Sequence, residues 1–165
     1  MIGAIFVVPV VFGLYWVWFS APSHRTVEAL RVALLNGPAD AQIEAIPKRH
    51  RLDALWSVMR DLLLDDEYEA GRRAVEAVAA IDPVVATAHA EQIAEATGDT
   101  DFGVRICRRA LEHSPRSLSA LATLARILAD GGRMDEALAV LDERPDEPDL
   151  LGIRAEILEQ GGRLA

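Results

Sequence analysis

Residues 1–20 contain no charged side chain and are mostly apolar. That run constrains the chain more than any other feature. A helix rises about 1.5 Å per residue, so roughly 20 apolar residues cross a hydrocarbon core of about 30 Å. A secretory leader would need a basic start, a shorter apolar core and small residues at a cleavage site. Here Met1-Ile2-Gly3-Ala4 carries no basic group, and the run closes on Tyr15, Trp16, Trp18 and Phe19. A buried globular helix would carry a polar stripe, and this segment has none. The sequence therefore predicts a single transmembrane helix over residues 1–21, with Pro9 inside it and Pro22 just beyond it. Tyr15, Trp16 and Trp18 would lie at the membrane interface, where rings with a polar edge settle, and residues 1–20 would contact lipid. No Lys or Arg precedes the run, whereas Arg25 and Arg31 follow it. Basic residues favour the cytoplasmic side, so the expected placement is a single-pass inner-membrane protein with a cytoplasmic C-terminal domain. Ala- and Arg-rich, Lys-poor usage points to a bacterium with a GC-rich genome.

About 140 residues remain, enough for one domain with its own core. They hold all the charge, and the net value is −9. That acidity argues against a nucleic-acid partner, whose phosphates need a basic surface. The local cluster Lys48-Arg49-His50-Arg51 reads as a solvated helix start, since a few basic residues bind anionic lipid weakly. Cys107 is the sole cysteine, so no intrachain disulfide forms. It falls on the apolar face of a predicted helix, where Cys acts as a small hydrophobe. His24, His50, His89 and His113 fit neither HExxH nor paired Cys/His spacing. Haem, dinucleotide and phosphate-loop motifs are missing, as is a GxSxG elbow. The sequence thus offers no catalytic, cofactor or metal site, and a non-enzyme is expected.

The remaining residues repeat. Asp65-Asp66-Glu67-Tyr68 precedes Ala70-Gly71, and the unit ends at Ile81-Asp82-Pro83. Thr97-Gly98-Asp99-Thr100-Asp101-Phe102 precedes Gly103, and Ser114-Pro115 closes the second unit. Gly131-Gly132-Arg133-Met134-Asp135-Glu136 precedes Ala137, with Pro145 and Pro148 closing the third. Pro83 and Pro115 are 32 residues apart, and Gly103 and Ala137 are 34 apart. Gly161-Gly162-Arg163-Leu164 begins the third turn again. Each unit reads as helix, tight turn, helix. Gly ends the first helix in a left-handed conformation, and acidic residues open the second. Gly71, Gly103 and Ala137 are small where two helices would cross, and Pro83 and Pro115 start the next unit. Leu52, Leu55, Val58, Met59 and Leu62, then Leu118, Leu121, Leu124, Ala125 and Leu128, recur at helical spacing. Upstream, Thr26 is placed to cap a helix through Val27, Leu30, Val32, Leu34 and Leu35. Asn36-Gly37-Pro38 breaks it, and Asp40 to Ile46 forms a short second helix. Residues 22–47 are then a cap or a diverged repeat.

This pattern resembles the tetratricopeptide repeat, a helix–turn–helix of about 34 residues. The nearest stretch runs from Leu121 to Leu141, through Leu121, Leu124, Ala125, Leu128, Gly132 to Ala137, Val140 and Leu141. The second unit matches at Ala90, Ala94, Gly98-Asp99, Gly103, Cys107, Ala110 and Pro115, and departs at Thr87 and Glu91. The first matches at Leu55, Leu62, Tyr68, Gly71, Val75, Val78 and Pro83. The resemblance implies an all-α chain. Its transmembrane helix is followed by a tetratricopeptide-like α-solenoid of helical hairpins, with about three and a half repeats over residues 48–165. It also implies that first helices line a concave groove holding a protein partner. Its exposed positions would be Asp53, Trp56, Arg60, Gln92, Glu95, Arg126 and Asp130. Trp56 reads equally as a binding anchor or as packing against the N-terminal helix pair. The expected function is a membrane-anchored, non-catalytic adaptor. The other reading is a structural subunit of a large membrane complex, packing through its transmembrane helix. Leu150 to Gln160 would be a helix with one face left for another subunit or a further repeat.

Overall fold

Turn chemistry sets where each helix begins and stops. The computed structural model describes residues 23–162 and shows nine helices among them. They are α1 (His24–Asn36), α2 (Asp40–Ala45), α3 (Lys48–Leu64), α4 (Tyr68–Ile81), α5 (Pro83–Thr97), α6 (Thr100–His113), α7 (Leu118–Asp130), α8 (Met134–Asp142) and α9 (Pro148–Gln160). The cap of α1 is Ser23, three residues before the expected Thr26: its hydroxyl accepts from the Thr26 N–H at 3.2 Å. Asp82 caps α5, accepting from the N–H groups of Val84 and Val85 at 3.1 and 3.2 Å with Pro83 in the first turn. Asp99 caps α6 through the Phe102 N–H at 3.0 Å. Pro115 does not start a helix. It lies in the turn before Ser117, whose hydroxyl caps α7 at the Ala120 N–H.

The tight turns share one backbone device. Gly98, Gly132 and Gly162 have φ of +74°, +75° and +64°, a region open to glycine at little cost. After α3 the same role falls to Asp66, with φ +60°, because Asp tolerates the left-handed region better than most side chains.

Contacts divide the chain into two units, residues 1–70 and 71–165. In the first, α1 packs on α3 and Leu30, Leu34, Ile46, Leu55, Met59 and Leu62 are buried. Arg51 is structural rather than solvated. Its guanidinium donates to the carbonyls of Ile46 and Glu44, each at 2.9 Å, and so ties the end of α2 to α3. In the second unit α6 packs on α5 and α7, while α7 also meets α5, α8 and α9. Val104, Cys107, Leu124, Leu128, Leu141 and Ile157 join one apolar core across these helices. This is the stacking of helical hairpins expected of an α-solenoid, in which each hairpin buries its apolar face on the next.

Gly103 makes one of the close approaches among these helices. A Cβ there would lie 2.8 Å from Cδ1 of Ile127 and 3.1 Å from Cβ of Ala94. Three helices meet at a point that has room for no side chain. The expectation of a small residue at the crossing holds at this position.

The single-pass inner-membrane placement, with its cytoplasmic domain, is corrected. Among the described residues no helix is long and apolar enough to cross a membrane. The longest, α3, has 17 residues and begins Lys48-Arg49-His50-Arg51, and its buried positions form one stripe. Such a helix packs against protein, not lipid. The segment expected to span, residues 1–21 with Tyr15, Trp16 and Trp18, lies outside the described residues.

Two outcomes follow for stability. Gly103→Val should destabilise the protein by about 1–3 kcal/mol through overpacking, read as a lower midpoint in urea. Asp99→Ala should cost about 1–2 kcal/mol at neutral pH by loss of the cap. The Asp99 carboxyl is held below its ordinary 3.8, chiefly by the Phe102 N–H and then, against some desolvation, by Arg72. A depressed carboxyl stabilises the fold above its unfolded value and stops doing so as pH falls through its folded one. The gap between wild type and Asp99→Ala should therefore narrow below about pH 4, measured by melting at successive pH values.

Candidate protein-binding groove

The first helices of successive hairpins, α5, α7 and α9, neighbour one another in the second unit. On α5, Glu91 and Glu95 are one turn apart, as are Arg126 and Asp130 on α7, so each pair shares a helix face. Arg126 is 35 residues from Glu91, one repeat, and its Nε donates to Oε1 of Glu91 at 2.6 Å. Its Nη2 reaches the other oxygen at 3.5 Å. Beside this ion pair opens a cleft of about 350 Å³, with Glu91, Glu95 and Asp130 on its walls and Ala94 and Ile127 among its apolar lining.

The cleft is acidic beyond what one arginine can balance. Asp130 is exposed, yet its carboxyl is pushed above its ordinary value. Partial desolvation acts first, and the charges of Glu91, Glu95 and Glu156 add to it against Arg126. Arg126 is held still more firmly protonated, first by its hydrogen bond with Glu91 and, against some desolvation, by the field of Glu91, Glu156 and Asp130. Glu91, Glu156 and Asp130 thus share one guanidinium, while Glu95 adds its charge to the field at Asp130. Like charges kept together in a folded protein cost stability, and such costs concentrate where a ligand is bound.

Three expected groove residues, Glu95, Arg126 and Asp130, come together here. Gln92 is exposed on α5 and hydrogen-bonds His89, whose imidazole is pushed below its ordinary value by burial despite that bond. Asp53, Trp56 and Arg60 lie exposed on α3 in the first unit. Trp56 is 38% exposed, which leaves part of its ring open to a partner, and Arg60 pairs with its neighbour Asp61 at 3.3 Å. Sequence reasoning missed Glu91 and Glu156. Glu91 breaks the repeat pattern at a small-residue position. The signal that finds it is the repeat period itself, which sets Glu91 and Glu95 against Arg126 and Asp130.

Among the described residues no group of three or more His, Cys, Asp or Glu side chains is placed to hold a metal. Cys107 is fully buried, and burial, with Glu91 adding, pushes its thiol up to about 12. A thiol so held is a packing group and not a nucleophile.

A family model for the tetratricopeptide repeat matches residues 94–157. The match begins inside α5 and ends inside α9, so it covers the core of the second unit. That stretch is tetratricopeptide-like, and repeats of this kind are typically non-catalytic modules for protein–protein interaction. No curated protein and no solved structure matches the chain.

Asp130→Asn tests the electrostatic cost. A carboxyl raised in the folded state subtracts from stability once ionised. The deficit is absent below the unfolded value near 3.8 and grows as pH rises through the folded value. The variant should therefore melt higher than wild type at neutral pH, with the gain vanishing in acid, as followed by circular dichroism.

Proposed function

We propose that the chain is a non-catalytic scaffold that holds a basic segment of a protein partner in the cleft between α5 and α7. The observation that carries this reading is the surplus of carboxylate there: Glu91, Glu95 and Asp130 line the cleft, the charges of Glu91, Glu95 and Glu156 bear on Asp130, and Arg126 is the cation that opposes them. A Lys or Arg side chain of the partner supplies the missing cation. Ala94 and Ile127 offer its methylene stem an apolar surface. An extended segment suits a cleft running across neighbouring helices, because its successive side chains reach successive repeats. The exposed Trp56, with Asp53 and Arg60, is a second partner contact in this reading, belonging to the first unit. Aromatic anchors often dominate binding energy where they become buried.

The test is titration of the full chain with a short labelled Lys/Arg peptide, followed by fluorescence anisotropy. Binding should weaken as salt rises. Asp130→Asn and Glu95→Gln should each weaken it about two- to fivefold, the worth of one exposed ion pair. Asp130→Asn should do so while leaving the fold more stable, so lost binding there cannot be misfolding. Equal affinity of wild type and both variants would discard the groove as the binding site.

A further inference from the structure

The second unit also carries a face of the opposite sign, on its second helices. Arg105, Arg108 and Arg109 lie on α6 at spacings of three and four residues, so they share one side of the helix. Arg133, at the start of α8, joins them around an open cleft of about 520 Å³ that also includes Asp101 and Glu112. In a chain of net charge −9, four guanidinium groups and two carboxylates line this cleft, and Glu76 and Glu136 pair with two of the four arginines.

The four arginines are not equivalent. Arg133 is committed: it donates to both oxygens of Glu136, at 2.8 and 2.7 Å, and reaches Asp101 at 3.3 Å. Arg105 bonds Glu76 at 2.8 Å and lies 5.4 Å from the centre of the Phe102 ring. These contacts fix the two ends of the cleft. Arg108 and Arg109 are exposed and make no hydrogen bond or ion pair among the described residues. Arg108 nevertheless contributes, behind Arg133, to holding the Glu136 carboxyl below its ordinary value. Its positive field therefore reaches across the cleft.

We propose that this cleft is a second binding site, for an acidic peptide segment whose Asp or Glu side chains pair with Arg108 and Arg109. Guanidinium groups match planar carboxylates in bidentate fashion. Two such groups on adjacent residues, flanked by Arg105 one turn away, suit carboxylates spaced along a chain. A compact phosphate fits less well, because Asp101 and Glu112 stand in the same cleft and repel a concentrated double charge. The site is separate in chemistry from the acidic groove, so the chain would take partner segments of opposite charge at two places.

The experiment uses the full chain and a short labelled Asp/Glu peptide, read by fluorescence anisotropy. Wild type should bind it, and more weakly as salt rises. Arg108→Ala with Arg109→Ala should weaken binding roughly tenfold. Arg116→Ala, an exposed arginine outside the cleft, should leave affinity unchanged. Glu112→Gln should tighten binding, a gain that misfolding cannot produce. Asp130→Asn should have no effect, which separates this site from the basic-peptide groove. No binding by wild type would overturn the proposal. So would equal losses in the Arg116 variant and the double variant, or displacement of the peptide by inorganic phosphate more effectively than by free acidic peptide.

Discussion

The second unit depends on one close approach of helices. At Gly103 the backbone of α6 comes so near Ala94 and Ile127 that a methyl group has no place. Because dispersion falls off within a fraction of an ångström, this contact decides how tightly α5, α6 and α7 share a core. The rest is arranged around it. Cys107, one turn further along α6, is fully buried. Phe102, on the other side of Gly103, is also buried, with the guanidinium of Arg72 4.6 Å from its ring centre. On the far side of α5 and α7, the same packing brings Glu91 within hydrogen-bonding distance of Arg126.

The two faces of the stack then differ for a physical reason. First helices meet their counterparts one repeat away, so side chains at equivalent positions face one another across a cleft. Identical charges there repel, and the chain places a single arginine among the acids. Second helices carry arginines toward solvent, where each is free to find its own partner or none. An acidic protein with a basic patch can discriminate between partners by charge as well as by shape.

Much of this architecture is legible in the sequence, because turns leave strong local marks. Gly98, Gly132 and Gly161-Gly162 end helices where the pattern demands, and the small residue at Gly103 announces a crossing. The errors also have local causes. Thr26 and Ser23 are both good caps, and only the path of the chain chooses Ser23. Pro115 suits a helix start as well as a turn, but Ser117 behind it offers a hydroxyl to the free N–H groups and takes the cap. The basic run at Lys48 hid Arg51's bonds to two carbonyls of the preceding segment, since a side chain's target is set by tertiary placement. The candidate groove was half legible: the repeat gave Glu95, Arg126 and Asp130, while Glu91 looked like a defect until its partner one period on was seen. The inner-membrane placement rests on residues 1–20 and the arginines that follow them, and no described helix has the length and apolarity it requires.

The left-handed glycines have a consequence for how such a protein changes over time. Gly98 and Gly132 turn the first helix of each successive hairpin into its second with nearly the same backbone angle, so each hairpin has an equivalent internal geometry. Neighbours then meet through interchangeable geometry, and contacts reach no further than the adjacent hairpin. An array built on this rule gains or loses length in whole modules, as beads are added to a string, without disturbing the packing of those that remain. Genetic duplication of one segment is enough to extend the surface it presents.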